Sequence, residues 1–430
     1  MGLIGAPSLV RPGLTTYNVS TMRQSKLLAT QLQRRDLDAW TALLRDHMAL
    51  EDLVVTAVSA QPITPRTKNS RRMTRYILDL AGHSDPVSLI GRHVEAVEAA
   101  FYRDFALRLP DLTPGCLFLH QAEANGSGWV VLDDVPNDID PGRWAVADVN
   151  AILDKLAHLH ATFVDQPDEL IGAGLPLRLD RTEYPWSTLV SQQAVYFEEG
   201  PAAILSQHAL VQAGQLAPLF LQAANGLVVM RDLGGWPGIL GESHLTAVSD
   251  LLDDPVPLLE PLRRLPPTLL HGDPNNHHWR VTVFEDQRLT GWQTAAVGPG
   301  ICDLVSFIEQ FGLLESREQG SSFKTRPLWP VDEEAIIDGY LLALSHRLGN
   351  RVNTRALRQA IPAARCLYVL TNWFPHFATW FNEMTNKFTW QKVNRMAPSE
   401  FANTPLQGFL ELRPYLSGVF ERFILAFRSL

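Results

Sequence analysis

Apolar positions near the start of the chain recur at helical spacing, with Leu37, Trp40, Leu43, Leu44 and Met48 falling on one stripe. The run LVVTAV that follows, at 53–58, predicts a strand. A basic, turn-like stretch with Arg66, Lys68, Asn69, Ser70, Arg71 and Arg72 leads into TRYILDLAG, where Tyr76, Leu78 and Leu80 alternate as in a half-buried strand. PVSLIG, at 86–91, predicts a third strand. Val94, Val97, Phe101, Phe105 and Leu109 then mark one face of an amphipathic helix from His93 to Leu109, with Glu98 near that face. CLFLH and WVVLDDV predict two more strands, after which strand signals become sparse. In DVNAILDKLAHLHATF, Val149, Ile152, Leu153, Leu156 and Phe163 form one helical stripe, and Asp148 is a candidate N-cap. A strand-rich front and a helical rear define an α+β architecture, with one unit expected over 1–135 and a second over 136–430.

Length and charge narrow the function classes. A chain of 430 residues that is 46% hydrophobic has material for a large core and two or three domain-sized units. Its 37 Lys and Arg stand against 46 Asp and Glu, so a broad basic footprint for nucleic acid or acidic lipid is lacking. Cys116, Cys302 and Cys366 are too far apart for a paired zinc module or a disulfide framework, which fits a reducing cytoplasm. Pro7 and Pro12 interrupt the apolar N-terminus, and no stretch of roughly 20 uninterrupted apolar residues follows, so neither export nor membrane insertion is expected. Gly2 lacks the Ser or Thr that a lipidation motif wants at position 6, where Ala6 stands.

The chemistry concentrates in TLLHGDPNNHHWRVTVFEDQRLTGWQTAAVGPGICDLVSF, where an apolar strand delivers a short polar loop and a hairpin follows. This segment resembles the catalytic region of the aminoglycoside phosphotransferases and of relatives such as choline and homoserine kinases, in which a His-Gly-Asp loop precedes an Asp-Trp turn and a Gly-Pro…Asp-Leu segment. Glu98 with Phe101 and Tyr102 is similar to that family's ion-pairing helix, WVVLDDV to its interlobe hinge and LAHLHATF to the helix before its catalytic loop. The resemblance implies a two-lobed protein kinase-like fold, with a small sheet-containing N-lobe and a larger, mainly helical C-lobe. It also implies ATP or GTP with Mg2+ and a small-molecule acceptor. Asp273 matches the base that orients an acceptor hydroxyl and takes its proton. His271 matches a loop-supporting residue and Asp303 a buried loop anchor. Turn or cap roles for Asp273, and a simple N-cap for Asp303, are the plainer alternatives.

Several positions depart from the family pattern. The metal-binding Asn expected five residues after Asp273 is His278, and the metal carboxylate expected before Trp292 is Gly291. Asp286 falls in the hairpin turn FEDQR rather than at the site. Magnesium prefers oxygen ligands, so both changes put metal binding in doubt. His271, His277 and His278 also admit a transition-metal reading against ordinary loop packing. The third-strand lysine is absent, leaving Arg92 to pair with Glu98 and meet phosphate, or to lie solvated at the strand end. By the same resemblance, Asp133 falls in the hinge region. The basic stretch at 66–72 stands where a phosphate-covering loop is expected between the first two strands, but it lacks the glycines of a phosphate cradle and reads first as a solvated loop.

Trp373, Phe377, Trp380, Phe381 and Met384 form a helical aromatic stripe, read first as core and second as an acceptor wall. The pairs Glu198 with Glu199 and Asp253 with Asp254 read as solvated faces, or as attraction for a cationic acceptor. No serine-nucleophile elbow, Walker loop or paired-cysteine module is present, and GPGICD lacks dinucleotide-fingerprint spacing. Two functions follow. One is an O-phosphotransferase for a small hydroxylated molecule. The other is a catalytically impaired pseudokinase-like module that binds a ligand, peptide or protein partner.

Overall fold

The computed structural model describes residues 19–63, 73–122, 126–136, 139–185, 188, 205–310, 313–315, 323–325, 332–381 and 407–430. Gly2, Ala6, the basic stretch from Arg66 to Arg72, Glu198, Glu199 and Met384 lie outside them, as does the Trp380 side chain. The chain divides into two compact units. One comprises Met1–Pro136 with Arg288–Gln293, the other Asn137–Gln287 with Thr294–Leu430. The first is built on an antiparallel sheet and the second is mainly helical, which is the α+β division expected of the two-lobed kinase-like fold.

In the first unit, helices α1 (Val19–Gln33) and α2 (Leu37–Met48) precede a five-stranded sheet of order β1-β2-β3-β5-β4. The strands are β1 (Val55–Ile63), β2 (Met73–Leu80), β3 (Val87–Val94), β4 (Cys116–Gln121) and β5 (Gly128–Asp133). Asp36 starts α2 by accepting the Ala39 N–H at 3.1 Å, satisfying one of the donors that a helix start leaves open. Most of the stripe read from the sequence faces inward: Trp40, Leu43 and Leu44 pack with Tyr76, Leu78 and Trp129 of the sheet and Met48 packs against them, while Leu37 at the helix start is exposed. Arg45 donates to the Leu53 carbonyl at 2.7 Å and Thr41 accepts the Val55 N–H at 3.0 Å, tying α2 to the first strand.

Helix α3 (Ala96–Asp104) is shorter than the span from His93 to Leu109 that periodicity predicts. His93 and Val94 remain in β3, and past Phe105 the chain tightens into a 3-10 turn at Ala106–Arg108. Val94, Phe101, Phe105 and Leu109 of the predicted apolar face are nevertheless buried and Val97 is half-buried, because a 3-10 turn keeps residues three apart on one side.

In the second unit, α4 (Val146–Phe163) presents the predicted stripe, with Val149, Ile152, Leu153, Leu156 and Phe163 all buried. Asp148 is not its N-cap. It lies one turn inside and reaches back to the Ala145 N–H at 2.7 Å. Strand β6 (Pro267–Leu270) runs antiparallel to Ala296–Pro299, and Thr268 donates to the His160 carbonyl at 2.7 Å, fixing β6 on α4. The helix Ile301–Gln310 follows at once and is buried almost throughout. The aromatic stripe is core: Phe377 and Phe381 are buried, and their rings lie 6.2 and 5.3 Å from Trp236. The stretch Gln207–Asp232 has the length and hydropathy of a spanning helix, but most of it is buried within the protein, as a core helix would be.

Candidate active site

Strand β6 ends by delivering His271, Gly272 and Asp273 into a tight loop. Gly272 has φ +86°, and a Cβ there would stand 2.1 Å from the Thr294 carbonyl oxygen, so only glycine fits. The loop backbone hangs on one carboxylate. Asp303 Oδ2 accepts the His271 N–H at 2.7 Å and Oδ1 accepts the Gly272 N–H at 3.0 Å. Asp303 is fully buried, where charged hydrogen bonds offset the cost of leaving water. His160 of α4 adds a third contact, its Nε2 3.4 Å from Asp303 Oδ2, while its Nδ1 lies 2.8 Å from the Tyr340 hydroxyl. Thr294 donates to the His271 carbonyl at 3.0 Å, closing the loop from its other side. Asp303 sits in the first turn of Ile301–Gln310, yet these two bonds go to the loop.

The Asp273 side chain is about 32% exposed. Its Oδ1 accepts from Gln310 Nε2 at 2.7 Å and its Oδ2 from Asn275 Nδ2 at 3.0 Å, with His278 Nε2 3.6 Å from Oδ2. Burial pushes this carboxyl upward, but His278, the Gln310 amide and His271 together outweigh it and hold the group below the usual carboxylate value. A carboxylate has about four acceptor sites, so two firm bonds leave capacity for one more donor. Asn275 shapes the following turn, its Oδ1 accepting the His277 N–H at 2.8 Å and the His278 N–H at 3.3 Å. The His271 and His278 rings lie 5.3 Å apart.

A second cluster forms within the first unit. Arg92 of β3 ion-pairs with Glu98 of α3, so it is not simply a solvated strand end, and Glu98 is 2% exposed. Glu98 Oε1 also accepts the Trp292 N–H at 3.2 Å, and the Trp292 ring stacks on Phe101 with centroids 3.7 Å apart. Helix α3 thereby holds the turn that begins at Gly291, which has φ +84°. Asp133, at the end of β5, accepts the Gly115 N–H at 3.1 Å, while its neighbour Asp134 takes Arg75 at 2.5 Å and Ser88 at 2.6 Å.

The residues at the expected metal positions do not fit magnesium. His278 offers a nitrogen directed toward Asp273, Gly291 offers no side chain, and Asp286 is engaged by Lys155 at 3.2 Å. Among the described residues, no three His, Cys, Asp or Glu side chains gather as a metal ion would require. His271, Asp273, His278 and Asp303 thus come together in one unit, and Arg92, Glu98 and the Gly291 turn in the other. Sequence reasoning missed Gln310, His160, Tyr340 and Thr294 as partners. A signal for Gln310 was present: Asp303, Ser306 and Gln310 make a polar stripe at i, i+3 and i+7 on an otherwise apolar helix. Tyr340 carries no such mark.

Solved structures that the chain is similar to include aminoglycoside phosphotransferases and choline kinases. A choline kinase from Cryptosporidium parvum is 13% identical, with a TM-score of 0.43 over 86% of this chain and 92% of that one. A choline/ethanolamine kinase family protein from Mesorhizobium loti is 13% identical, with a TM-score of 0.42 over 91% and 98%. A GDP complex of a mutant aminoglycoside 2'-phosphotransferase-IIIa is 11% identical, with a TM-score of 0.38 over 86% and 100%. No family model and no curated protein matches the chain. Likenesses this distant carry no weight for activity or acceptor.

Proposed function

We propose that this chain is an O-phosphotransferase for a small hydroxylated molecule, with Asp273 as its base. The observation that carries this reading is an ionised carboxylate with spare acceptor capacity, on a loop whose backbone is clamped by buried Asp303. In the reaction, the acceptor oxygen attacks the terminal phosphorus of ATP or GTP as Asp273 takes the hydroxyl proton. The new O–P bond forms while the bridging O–P bond breaks, and the nucleoside diphosphate leaves with the electron pair. His271 and Asp303 hold the loop. Arg92, steadied by Glu98, is the candidate for phosphate, and Asp133 belongs to the nucleotide hinge. No step is assigned to a metal.

A second reading, a pseudokinase-like module that binds a ligand, peptide or protein partner, is favoured by Gly291. A glycine supplies no ligand, and loss of a metal's several kcal/mol would slow transfer severely. The test is calorimetric titration of ATP and GTP with and without Mg2+, followed by an assay of nucleoside diphosphate release. Binding with turnover that falls about 100-fold or more in Asp273→Asn supports the transferase. Absence of nucleotide binding under every condition overturns it. Under the second reading, Gly291→Asp with His278→Asn creates metal-dependent nucleotide binding that the parent lacks. Aspartate is one of the few residues that tolerates the positive φ at that position.

A further inference from the structure

The helix Ile301–Gln310 touches the candidate loop at both of its ends. Asp303, in its first turn, takes the backbone N–H groups of His271 and Gly272, and Gln310, its last residue, donates to the Asp273 carboxylate at 2.7 Å. These residues are seven apart, two helical turns, so they share one face. Ser306 lies between them, and its Oγ accepts from the same Gln310 Nε2 at 3.3 Å, fixing the direction of the amide.

What makes Gln310 a defined donor is the residue before it. Glu309 is completely buried, and its carboxylate accepts from Arg365 Nε at 2.6 Å and from Arg422 Nη2 at 2.7 Å. Its backbone carbonyl accepts the Tyr415 hydroxyl. Arg365 belongs to the helix Ile361–Tyr368, and Arg422 and Tyr415 to the helix Gln407–Phe427. Glu333 joins the same network through Arg365. The C-terminal turn of Ile301–Gln310 is therefore pinned by two other helices at the point where it presents Gln310.

We infer that Gln310 is a positioning residue, whose amide holds Oδ1 and so fixes the plane of the Asp273 carboxylate, leaving the remaining acceptor capacity of Oδ2, which also takes Asn275, for the acceptor hydroxyl. This rests on the transferase reading for its catalytic consequence, but the geometric claim stands apart from it. Gln310→Glu has nearly the same volume as the parent but presents a carboxyl toward Asp273, and Gln310→Leu removes the polar group. Turnover is followed as ADP release from ATP, with water as acceptor, and crystal structures of parent and variants report the Asp273 side-chain rotamer.

The expected result is a fall in kcat of about tenfold or more in both variants, with Gln310→Glu no better than Gln310→Leu and KM for ATP within about twofold of the parent. Asp273 is expected to leave its parental rotamer in the Gln310→Leu crystal. Parental kcat in Gln310→Glu reduces Gln310 to packing and overturns the inference, as does an unmoved Asp273 in Gln310→Leu. A parent that releases no ADP tells against the transferase reading, and the crystal comparison then decides the positioning claim alone. A variant that fails to fold is replaced by Gln310→Asn, which keeps the donor but shortens its reach, and the same two readouts apply.

Discussion

At Gly272 two demands meet in one residue. The loop turns through φ +86°, and the Thr294 carbonyl oxygen stands where a side chain would begin. Gly272→Ala is therefore strained twice, in its backbone by about 1–3 kcal/mol and again by a collision with main chain that has no rotamer to retreat into. Its expected effect is a drop in the denaturant midpoint, together with loss of protection at the His271 and Gly272 amides in hydrogen exchange. An alanine variant with the parent's midpoint would show that the loop is free to move, and the Asp303 clamp would then count for little. At this scale the sequence was most readable. His271, Gly272, Asp273 and Asp303 stand out because their segment resembles a known catalytic region, and a short polar loop between apolar segments agrees with that resemblance. Gln310 was harder to see, since a glutamine at a helix end is normally solvated.

Among the elements, α3 illustrates how much of a contact set lies beyond periodicity. The spacing of Phe101 and Phe105 gives the helix its buried face, but nothing local announces that Glu98 receives the Trp292 N–H from a segment 194 residues later. Such pairings are set by tertiary packing, which a single sequence does not encode at any fixed offset. The ion pair with Arg92 is buried, with side chains 15% and 2% exposed, so removing one partner leaves a charge without compensation. Arg92→Ala is expected to destabilise the first unit by about 3–5 kcal/mol. Glu98→Gln combined with Arg92→Ala should regain a large part of that loss, because the stranded charge is gone while a side-chain oxygen still faces Trp292. Denaturation of the two variants decides the matter. A double variant no more stable than the single one would place the cost in packing and not in the orphaned carboxylate. Strand lengths were also only partly legible: β3 continues to Val94 because Arg92 and His93 still have partners in β5, which an apolar-run criterion ends too soon.

Across the molecule, the buried thiols and phenols share a direction. Burial pushes the Cys302 thiol up to about 11 and the Cys366 thiol up to about 12. Burial likewise raises Tyr76 and Tyr102 in the first unit, and Tyr340, Tyr368 and Tyr415 in the second. Each is neutral when protonated, so the fold favours the protonated form. In the unfolded chain, thiols ionise near ~8.5 and phenols near ~10. The stabilisation is thus complete below those values and is lost as pH rises through them toward the folded values. Between these limits the two thiols alone steepen the decline by roughly 2.7 kcal/mol per pH unit, and the phenols add to it above pH ~10. Stability measured by guanidinium denaturation is therefore expected to be level near pH 8 and to fall sharply by pH ~10.5. Tyrosinate absorbance should rise together with the loss of helical circular dichroism, because most of the phenols cannot ionise in place. Phenols that titrate at their ordinary value while the helical signal stays constant would mean that water reaches these side chains. The apolar interior on which both units depend would then be less closed than their packing implies.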